Sequence, residues 1–485
     1  MEIKELIENL DYKNIKNLQN FDVSSLSCKS GDKNPDGIYF CLSGTKKDGH
    51  DFVKEAKENG AKCLVVEHFV DSDLMQILVN NSRATMTDMS AKFYGVNHTN
   101  MKFIGITGTN GKTTTSFLLK SYLTKLNKRV GLIGTQGIYF NHLMLPSNLT
   151  TPDPIDLYRI IHEMELSGIE YVVMEASAHA IALNKIDGIK YDVVGLTNIT
   201  RDHLDFFKSM DNYASAKQKL LSLKHTKKAI INIDDEYTSK IANYCDADKT
   251  TISLYDDADM YLQDCNLSIN GTKAVIKAEG ETLPVRFNLL GKYNLANLMM
   301  AISVLHNLGF EYDEIINVVN TTRVNVPGRF NVLETPTDYS VVIDFAHTPD
   351  GVEKVLKTAR ELTDGRIISV FGCGGDRDNT KRKIMGEISE NLADYTIVTS
   401  DNPRSENPNL IIKEITENMK KNYETITDRR KAIARALNIA KAGDVILILG
   451  KGAENYQEIN GVKYPYSDYE VVDDYFKNEE VVNLD

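Results

Sequence analysis

The chain has 485 residues, which at ~150 residues per domain predicts three domains. Its hydrophobic residues (42%) and charged residues (26%) are ordinary for a folded protein and exclude disorder as the main state. The formal net charge of −12 excludes a uniform basic surface, so we expect neither nucleic acid nor an anionic membrane as the main partner. A local basic pocket for an anionic small molecule stays compatible with this charge.

The sequence carries no recognisable targeting or redox signal. The first residues, MEIKELIENLDYK, have no basic segment followed by an apolar one. The longest apolar runs, such as VILIL at 445–449, are far shorter than the ~20 residues of a membrane span. The six cysteines form no C-x-x-C pair. We therefore expect a cytoplasmic protein with reduced thiols and no membrane span.

Strand-like and helix-like segments alternate along the chain, which is typical of α/β proteins with mainly parallel sheets. The first block has strand, helix and strand patterns at 37–42, 52–60 and 61–67, then a polar linker at 95–100. The second has a buried-strand pattern at 101–107, a helix after it, and strands at 171–177, 192–199 and 228–234. Short alternating segments between 250 and 290 predict an antiparallel edge on that sheet.

A third block follows Pro327-Gly328, a pair typical of a hinge or boundary. It has strand patterns at 340–346, 366–372, 394–400 and 444–450, with a helix near 350–363. We predict an α/β protein of three domains: a smaller N-terminal α/β domain (1–99), a central P-loop domain with a parallel sheet and an antiparallel edge (100–327), and a C-terminal Rossmann-like α/β domain (328–485). Ligands bind beyond the carboxyl ends of parallel strands, so the loops there are the candidate site.

The segment TGTNGKTTT at 107–115 lies between a predicted strand and a predicted helix, as a phosphate-binding loop requires. Glycines let several backbone N–H groups point at one anion, Lys112 adds a full positive charge, and the Thr113 hydroxyl can reach Mg²⁺. The strict G-x-x-x-x-G-K-[ST] pattern fails at one position, because Ile106 stands where the first glycine is expected. We predict that a nucleoside triphosphate is bound by Gly108, Thr109, Asn110, Gly111, Lys112, Thr113 and Thr114.

Acidic and histidine side chains follow the next two strands of this block. They are Glu175, Ser177 and His179 at the end of one strand, and Asp202, His203 and Asp205 after the other. A single histidine after a strand usually caps a helix or hydrogen-bonds. Two such clusters at one sheet edge instead favour a metal that bridges phosphates.

These strings resemble the Mur ligases, a family of ATP-dependent amide-forming enzymes, in TGTNGKTTT, ME-x-S-x-HA and N-x-x-x-DHLDF. The resemblance implies that Lys112 is catalytic and that Thr113, Glu175 and His203 hold Mg²⁺, with two ions expected. NYASAKQKLL places Lys217 on a helix, where a solvated surface lysine is the ordinary interpretation. In the family this lysine is carbamylated. The resemblance therefore implies that Lys217 is N6-carboxylysine, a catalytic anion that helps to hold metal.

Three further motifs match the family around the nucleotide: GKYNLANLMMA (291–301), PGRF (327–330) and DFAHTPDG (344–351). The resemblance implies that Asn294 and Asn297 contact the adenine side of ATP. It also implies that Arg329 reaches the phosphates and that Asp344 hydrogen-bonds the ribose. Phe345 stands where family members usually have Tyr.

Three strand-end loops of the third block carry charged residues that suit a zwitterion with an extra carboxylate. They are FGCGGDRD (371–378), DNPRSENP (401–408) and GKGAE (450–454), and they resemble the Mur ligase that extends UDP-N-acetylmuramoyl-L-Ala-D-Glu. The resemblance associates DNPR with meso-diaminopimelate, whose distal carboxylate suits the planar guanidinium of Arg404. With lysine bound, Arg404 would be buried and unpaired, at a cost of several kcal/mol. The implied amino-acid-binding residues are Arg377, Asp401, Asn402, Arg404, Gly450 and Glu454.

The match departs most from the family at the pocket for the muramoyl nucleotide. The implied contacts there are Ser30, Thr150, Thr151, Ser177 and Lys185. Lys29-Ser30-Gly31 stands where the family has Asp-Ser-Arg, and Leu183 and Lys185 replace Gln and Arg.

The resemblance implies a monomeric cytoplasmic ligase of peptidoglycan precursor synthesis, with ATP, the UDP-muramoyl dipeptide and diaminopimelate as substrates. Two alternatives stay open. One keeps the chemistry but uses L-lysine or another carrier. The other is an ATP-binding regulator or scaffold without ligase activity, against which the sequence retains Lys112, Glu175, His203, Lys217 and Asp344.

Overall fold

A computed structural model describes residues 1–44, 47–147, 149–255, 257–268 and 271–482. Its strands form sheets of five, eleven and six strands and a two-stranded hairpin, so the mixed α/β class is confirmed. The two predicted boundaries, after residues 99 and 327, fall between successive sheets and stay predictions, and residues 483–485 of the predicted third domain lie outside the described residues. In the described part of the chain, no helix is both long and apolar enough to cross a membrane.

The first sheet has the strand order β1-β5-β4-β3-β2, with β1 antiparallel to its neighbour and the other strands parallel. Its strands are β1 (Asn14–Lys16), β2 (Ser25–Ser27), β3 (Gly37–Phe40), β4 (Ala61–Val66) and β5 (Met75–Leu78). Its helices are α1 (Ile3–Ile7), α2 (Val53–Glu58) and α3 (Ser82–Phe93). Both predicted strands and the predicted helix of this block are confirmed.

The second sheet is centred on β6 (Lys102–Thr107), which continues into the phosphate loop and α4 (Lys112–Lys125). The strands that follow are β7 (Val130–Gly134), β8 (Gly137–Phe140), β9 (Leu143–Leu145), β10 (Tyr171–Glu175), β11 (Val193–Leu196), β12 (Lys228–Asn232), β13 (Asp248–Ser253), β14 (Met260–Ser268), β15 (Gly271–Ala278) and β16 (Glu281–Phe287). The helices are α5 (Pro154–Leu166), α6 (Ala178–Ala182), α7 (Leu204–Phe207), α8 (Met210–Gln218), α9 (Glu236–Asn243), α10 (Lys292–Asn307) and α11 (Tyr312–Thr321).

Parallel pairing places the ends of β10 and β11 on either side of the phosphate loop, because both strands flank β6. Phe103 belongs to the core on one face of the sheet, and Ile104 and Ile106 belong to the core on the other. The antiparallel edge is confirmed for β14–β16. It is wrong for β13, which pairs parallel with β12 and continues the central sheet. The hairpin of β8 and β9 at the opposite edge was not predicted.

The third sheet has the order β17-β18-β22-β19-β20-β21 and is parallel except for β17. Its strands are β17 (Asn331–Leu333), β18 (Ser340–Asp344), β19 (Ile367–Phe371), β20 (Tyr395–Val398), β21 (Tyr423–Thr425) and β22 (Val445–Leu449). A hairpin of β23 (Tyr456–Ile459) and β24 (Val462–Pro465) follows. The helices are α12 (Pro349–Leu362), α13 (Arg382–Leu392), α14 (Pro408–Ile415), α15 (Arg429–Ile439) and α16 (Asp468–Val482).

A buried ion pair fastens the C-terminal helix to this third sheet. The Arg429 guanidinium at the start of α15 donates to both carboxylate oxygens of Asp468, at 2.8 and 2.7 Å, and to the Leu449 carbonyl at the end of β22. Both charged side chains are fully buried. Removing one member of such a pair leaves an uncompensated charge in the interior.

We expect Asp468→Asn to lower the free energy of unfolding by about 3 kcal/mol, because Arg429 would stay buried without a carboxylate. Asp473→Asn is the matched control on the same helix, since Asp473 forms an exposed pair with Lys477 and its loss should cost under about 0.5 kcal/mol. The chain has no tryptophan, so urea unfolding is followed by circular dichroism. Equal midpoints for the two variants would contradict a stabilising role for the buried pair.

Candidate functional site

The phosphate loop depends on two glycines whose backbone only glycine adopts easily. Gly108 has φ 141° and Gly111 has φ 90°. A Cβ atom at Gly108 would lie 1.9 Å from the Thr197 hydroxyl oxygen, and one at Gly111 would lie 2.3 Å from Oδ1 of Asn297. The loop therefore needs glycine both for its conformation and for its close packing against β11 and α10.

The residues after β11 form hydrogen bonds with the phosphate loop. The Asn110 backbone N–H donates to Oδ1 of Asn198 at 2.9 Å, and its carbonyl accepts from the Thr197 hydroxyl at 2.6 Å. The Thr109 hydroxyl donates to the Thr200 carbonyl at 3.1 Å. Sequence reasoning missed this support, although Asn198 is the first residue of the N-x-x-x-DHLDF motif that it did use.

Two lysine side chains, buried Lys217 and half-buried Lys112, meet at one carbonyl oxygen of the loop. Nζ of Lys112 and Nζ of Lys217 each donate to the Gly108 carbonyl at 2.8 Å, and Lys112 also donates to the Thr109 carbonyl. Burial lowers the pKa of Lys112. Burial, followed by the nearby charge of Lys112, holds the pKa of Lys217 well below its ordinary value. Lys217 is therefore not a surface lysine, and its environment favours a neutral amine.

Glu175 ends β10 beneath the loop and is fully buried. Its carboxylate accepts hydrogen bonds from the Thr113 hydroxyl at 3.1 Å and from the Thr135 backbone N–H and hydroxyl at 3.1 and 3.0 Å. The Thr113 hydroxyl in turn accepts from Nη2 of Arg329 at 3.2 Å. Glu175, Thr113 and Arg329 thus form one connected chain of polar contacts that reaches from the second sheet to the third.

His203 lies at the same sheet edge in a left-handed backbone conformation, with φ 55°. Its ring is 4.8 Å from that of His179, between ring centroids, and Nε2 is 3.4 Å from Asp202. Burial lowers the pKa of His203 to about 4, so the imidazole is neutral at physiological pH. Among the described residues, no three His, Cys, Asp or Glu side chains converge as a metal site, so His203 and Glu175 do not form a preformed cage.

A cavity of about 500 Å³ opens between the phosphate loop, α10 and the start of the third sheet. Its lining includes Asn110, Gly111, Thr114, Asn198, Tyr255, Asn297, Arg329, Asp344 and Lys354. Asn297 packs against Gly111, and its amide donates to Oδ1 of Asn294 at 3.0 Å. Asn294 is not part of that lining. It supports Asn297 from the buried side of the helix and donates to the Leu290 carbonyl.

Asp344 ends β18 and faces the same cavity. Its two carboxylate oxygens accept from the backbone N–H groups of Phe330 (2.6 Å) and Ala346 (2.7 Å). Burial raises the pKa of Asp344, and the charge of Arg329 opposes that rise. The Arg329 guanidinium lies 4.6 Å above the ring of Phe345, so the PGRF and DFAH motifs are in direct contact.

Further contacts join the loops of the second and third sheets, besides the Arg329 bond to Thr113, and among them Nη2 of Arg201 donates to the Thr380 hydroxyl at 2.6 Å. Nδ2 of Asn110 donates to Asp350 at 2.9 Å. Nζ of Lys381 lies 3.8 Å from Asp202, beside His203. Loops at the carboxyl ends of both sheets therefore face one another across the cavity.

The DNPR and GKGAE loops share a network around a lysine that sequence reasoning missed. Fully buried Lys451 donates through Nζ to Asn402 at 2.9 Å and to Glu454 at 3.1 Å, and it lies 3.6 Å from Asp401. Burial raises the pKa of Glu454. Burial also acts to raise the pKa of Asp401, but the charges of Lys451, Arg429 and His347 together with the Asn402 backbone N–H outweigh it, so the net shift is downward. A Cβ at Gly450 would lie 2.5 Å from Asp401, so this glycine lets the two loops approach.

Two arginines flank the turn after β19. A Cβ at Gly374 would lie 2.8 Å from Nη1 of Arg404 and 3.9 Å from Cγ of Arg377. Arg377 is exposed, whereas Arg404 donates to Glu458 at 3.1 Å and to the Gly375 carbonyl at 2.7 Å. The sequence predicts an unpaired Arg404 when lysine is bound; in the structure, Glu458 on the hairpin after GKGAE already pairs with it.

The predicted carrier residues from the second sheet lie together beside Glu175. The Thr151 hydroxyl donates to the Glu175 carbonyl at 2.8 Å and lies 3.3 Å from the Ser177 hydroxyl. The Thr150 and Thr135 hydroxyls are 3.0 Å apart. These side chains adjoin the phosphate loop, where an acceptor carboxylate would have to be.

Lys185 and Ser30, the other two predicted carrier residues, contact Asp153 and Asn59. Nζ of Lys185 pairs with Asp153 at 2.6 Å, and the Ser30 carbonyl accepts from Nδ2 of Asn59 in the first sheet's domain. Burial, and secondarily the charge of Asp153, raises the pKa of the nearby Cys28 thiol.

Comparison with known proteins agrees with this geometry. Residues 106–305 match the Mur ligase middle domain, and residues 328–452 match the Mur ligase, glutamate ligase domain. A Clostridium acetobutylicum protein named UDP-N-acetylmuramoyl-L-alanyl-D-glutamate--2,6-diaminopimelate ligase 1 is 40% identical over 98% of this chain and 99% of its own. The chain belongs to the Mur ligase family.

Other relatives of this Mur ligase agree in length and fold. A Clostridium botulinum ligase of the same name is 37% identical over 98% of this chain and 100% of its own. A solved structure of such a diaminopimelate ligase has a TM-score of 0.67 and 29% identity, covering 94% of this chain and 95% of that one. MurF ligase from Thermotoga maritima, in complex with ADP, has the same fold at 23% identity, with a TM-score of 0.67 over 94% of this chain and 98% of its own.

We expect Gly111→Ala to weaken ATP binding by about 100-fold, because the new methyl group would collide with Asn297 and strain the loop. Gly280→Ala is the matched control, since Gly280 also has positive φ (84°) but no atom within 4 Å of its Cβ position. Isothermal titration with a non-hydrolysable ATP analogue measures both variants. If both weakened binding equally, the packing of the loop against α10 would not be the cause.

Proposed function

We propose that this Mur ligase uses ATP to join meso-2,6-diaminopimelate to the D-Glu γ-carboxylate of UDP-N-acetylmuramoyl-L-Ala-D-Glu, in the synthesis of peptidoglycan precursors. Relatives of that name match nearly the whole chain at 36–40% identity. The observation that carries the proposal is the junction of the two sheets. The phosphate loop contacts Arg329 and Asp350, and the arginine-bearing loops of the third sheet lie beyond that contact.

The proposed reaction has two steps, phosphoryl transfer to the acceptor and attack by the amine, and they use loops of the second and the third sheet. On the second sheet's side, the γ-phosphoryl group of ATP passes to a carboxylate oxygen of the acceptor, which gives an acyl phosphate and ADP. The amine of diaminopimelate then attacks the acyl carbon, the C–N bond forms, the C–O bond to phosphate breaks, and the amine loses a proton. Positioning and charge neutralisation supply most of the rate enhancement, and closure of the sheets excludes water.

For the nucleotide, we assign the phosphates to the backbone of Gly108–Thr114, to the Lys112 ammonium and to Arg329. Lys112 now donates only to loop carbonyls, so it can turn to an arriving anion. Asn297 and Asp344 line the cavity and can contact the nucleoside. We give Asn294 the supporting role of orienting Asn297, because its own amide is used inside the helix.

The donor set around Glu175 fits Mg²⁺. Thr113 offers a hydroxyl, Glu175 a carboxylate and His203 a neutral imidazole, and Mg²⁺ ordinarily takes few protein ligands beside phosphates and waters. When bound, the metal supplies positive charge that neutralises the transferring phosphoryl group. We propose that two ions are held, the second with help from Lys217.

Lys217 is suited to become a carbamate. Its buried Nζ donates to the Gly108 carbonyl, and its lowered pKa favours the neutral amine. A neutral amine attacks CO₂, forms an N–C bond and releases one proton, which leaves a carboxylate on the side chain. The neutral amine beside Lys112 is thereby replaced by an anion that stabilises the Lys112 ammonium.

Binding of the other two substrates is assigned to the remaining loops. For the carrier we propose Thr150, Thr151 and Ser177 near the reacting carboxylate, with Ser30 and Lys185 further out. For the amino acid we propose the set Arg377, Asp401, Asn402, Arg404, Gly450 and Glu454, in which Lys451 fixes the acidic members.

Phosphate release should require ATP, Mg²⁺, UDP-muramoyl dipeptide and diaminopimelate together, because the acyl phosphate forms only on a bound acceptor. An amino-acid panel with product mass measured identifies the amine. Omitting each component in turn is the control. Phosphate release that proceeds without the dipeptide, or a product that lacks the added amino acid, would contradict the proposal.

Lys217→Ala should reduce turnover by at least about 1,000-fold, since the site loses the carbamate proposed to help hold the second Mg²⁺ ion beside the phosphoryl group. Added acetate or propionate should restore part of the rate by filling the vacated space. Lys219→Ala, two residues along the chain and on the 3₁₀ turn after α8, is the control. Full activity of Lys217→Ala without any added carboxylate would exclude the carbamate.

A further inference from the structure

The arginine assigned to the distal carboxylate of the amino acid already has a protein carboxylate beside it. Nε of Arg404 donates to Oε2 of Glu458 at 3.1 Å, and the two side chains are 20% and 25% exposed. The pairing is reinforced by the backbone, because the Arg404 N–H donates to the Glu458 carbonyl and the Arg404 carbonyl accepts from the Asn460 N–H. Glu458 belongs to β23, so the hairpin carries it to the DNPR loop.

The contacts of Arg404 leave one nitrogen of its guanidinium group open. Nε is used by Glu458 and Nη1 by the Gly375 carbonyl, at 2.7 Å. No hydrogen-bond partner of Nη2 occurs among the described residues. A substrate carboxylate can therefore accept from Nη2 while Glu458 keeps its place, which puts two carboxylates on one arginine.

The other carboxylates around these loops are committed elsewhere. Glu454 accepts from Asn402 and Lys451, and Glu406 of the DNPRSENP segment pairs with buried Arg382 at 2.8 Å. Glu458, by contrast, is in direct contact with the Arg404 guanidinium.

We propose that Glu458 is a specificity-determining residue that weakens discrimination between diaminopimelate and lysine. This inference rests on the proposed function. When lysine is bound, Glu458 keeps Arg404 paired, so the desolvation cost of an unpaired guanidinium does not arise. When diaminopimelate is bound, its distal carboxylate shares Arg404 with a like charge, which reduces its advantage.

The test is a competition between the two amino acids in one reaction. Enzyme, ATP, Mg²⁺ and UDP-muramoyl dipeptide are given an equimolar mixture of meso-diaminopimelate and L-lysine, and the two tripeptide products are counted by mass spectrometry. Their ratio equals the ratio of kcat/KM values and does not depend on how much of a variant is folded. The variants are Glu458→Gln, which removes the charge and keeps the shape, and Glu458→Met, which also removes the acceptor.

Glu424→Gln is the matched control, because Glu424 pairs with Nε of Arg435 at 2.9 Å and is 28% exposed, away from these loops. We expect the diaminopimelate-to-lysine ratio to rise by about fivefold in Glu458→Gln and at least as much in Glu458→Met, with Glu424→Gln at the wild-type ratio. An unchanged or lower ratio in active Glu458 variants overturns the inference and leaves the proposed function intact. Wild-type enzyme that makes neither tripeptide overturns the proposed function itself.

Discussion

Two lysine amines donate to the same backbone oxygen, the Gly108 carbonyl, and the rest of the site follows from that contact. Burial lowers the pKa of both lysines, and one carbonyl dipole is a weak partner for two amines. In the proposed function, the triphosphate takes Lys112 from the loop carbonyls, and carbamylation turns Lys217 into an anion. On that proposal, the charge of this centre is balanced by its ligands.

The third sheet's part of the chain adds positive side chains to the phosphate loop, which belongs to the second sheet. Arg329 follows the hinge-like Pro327-Gly328 pair and reaches back to the Thr113 hydroxyl, which itself donates to Glu175. Lys381 approaches Asp202 from the third sheet in the same way. Because these contacts join the second and third sheets, they also fix the distance between the proposed ATP site and the proposed amine pocket. On that proposal, nucleotide binding and the positioning of the amine depend on the same few side chains.

Local sequence patterns predict much of the fold and of the candidate site. Most of what they do not predict depends on contacts between residues far apart in the sequence. The strand–glycine loop–helix order around Lys112 is confirmed, because the pattern of adjacent residues encodes each part, and phosphate binding there stays a prediction. Lys451 was missed because a lysine inside GKGAE looks like an ordinary turn residue until Asn402 and Glu454 fold around it. Glu458 lies 54 residues from Arg404, and no periodicity connects the two. The resemblance implies that Asn297 contacts adenine. It does not predict the packing of Asn297 against Gly111, because that contact depends on how α10 crosses α4.

Carbamylation of Lys217, next to the Gly108 carbonyl, has a direct spectroscopic test. The enzyme is equilibrated with ¹³C-bicarbonate at pH 8 with and without Mg²⁺ and ATP, and ¹³C NMR is recorded alongside the Lys217→Ala variant. We predict a protein-bound carbamate resonance in the wild-type enzyme that strengthens with Mg²⁺ and ATP and is missing from the variant. A wild-type spectrum without that resonance under saturating ligands, or the same resonance in Lys217→Ala, would contradict the account.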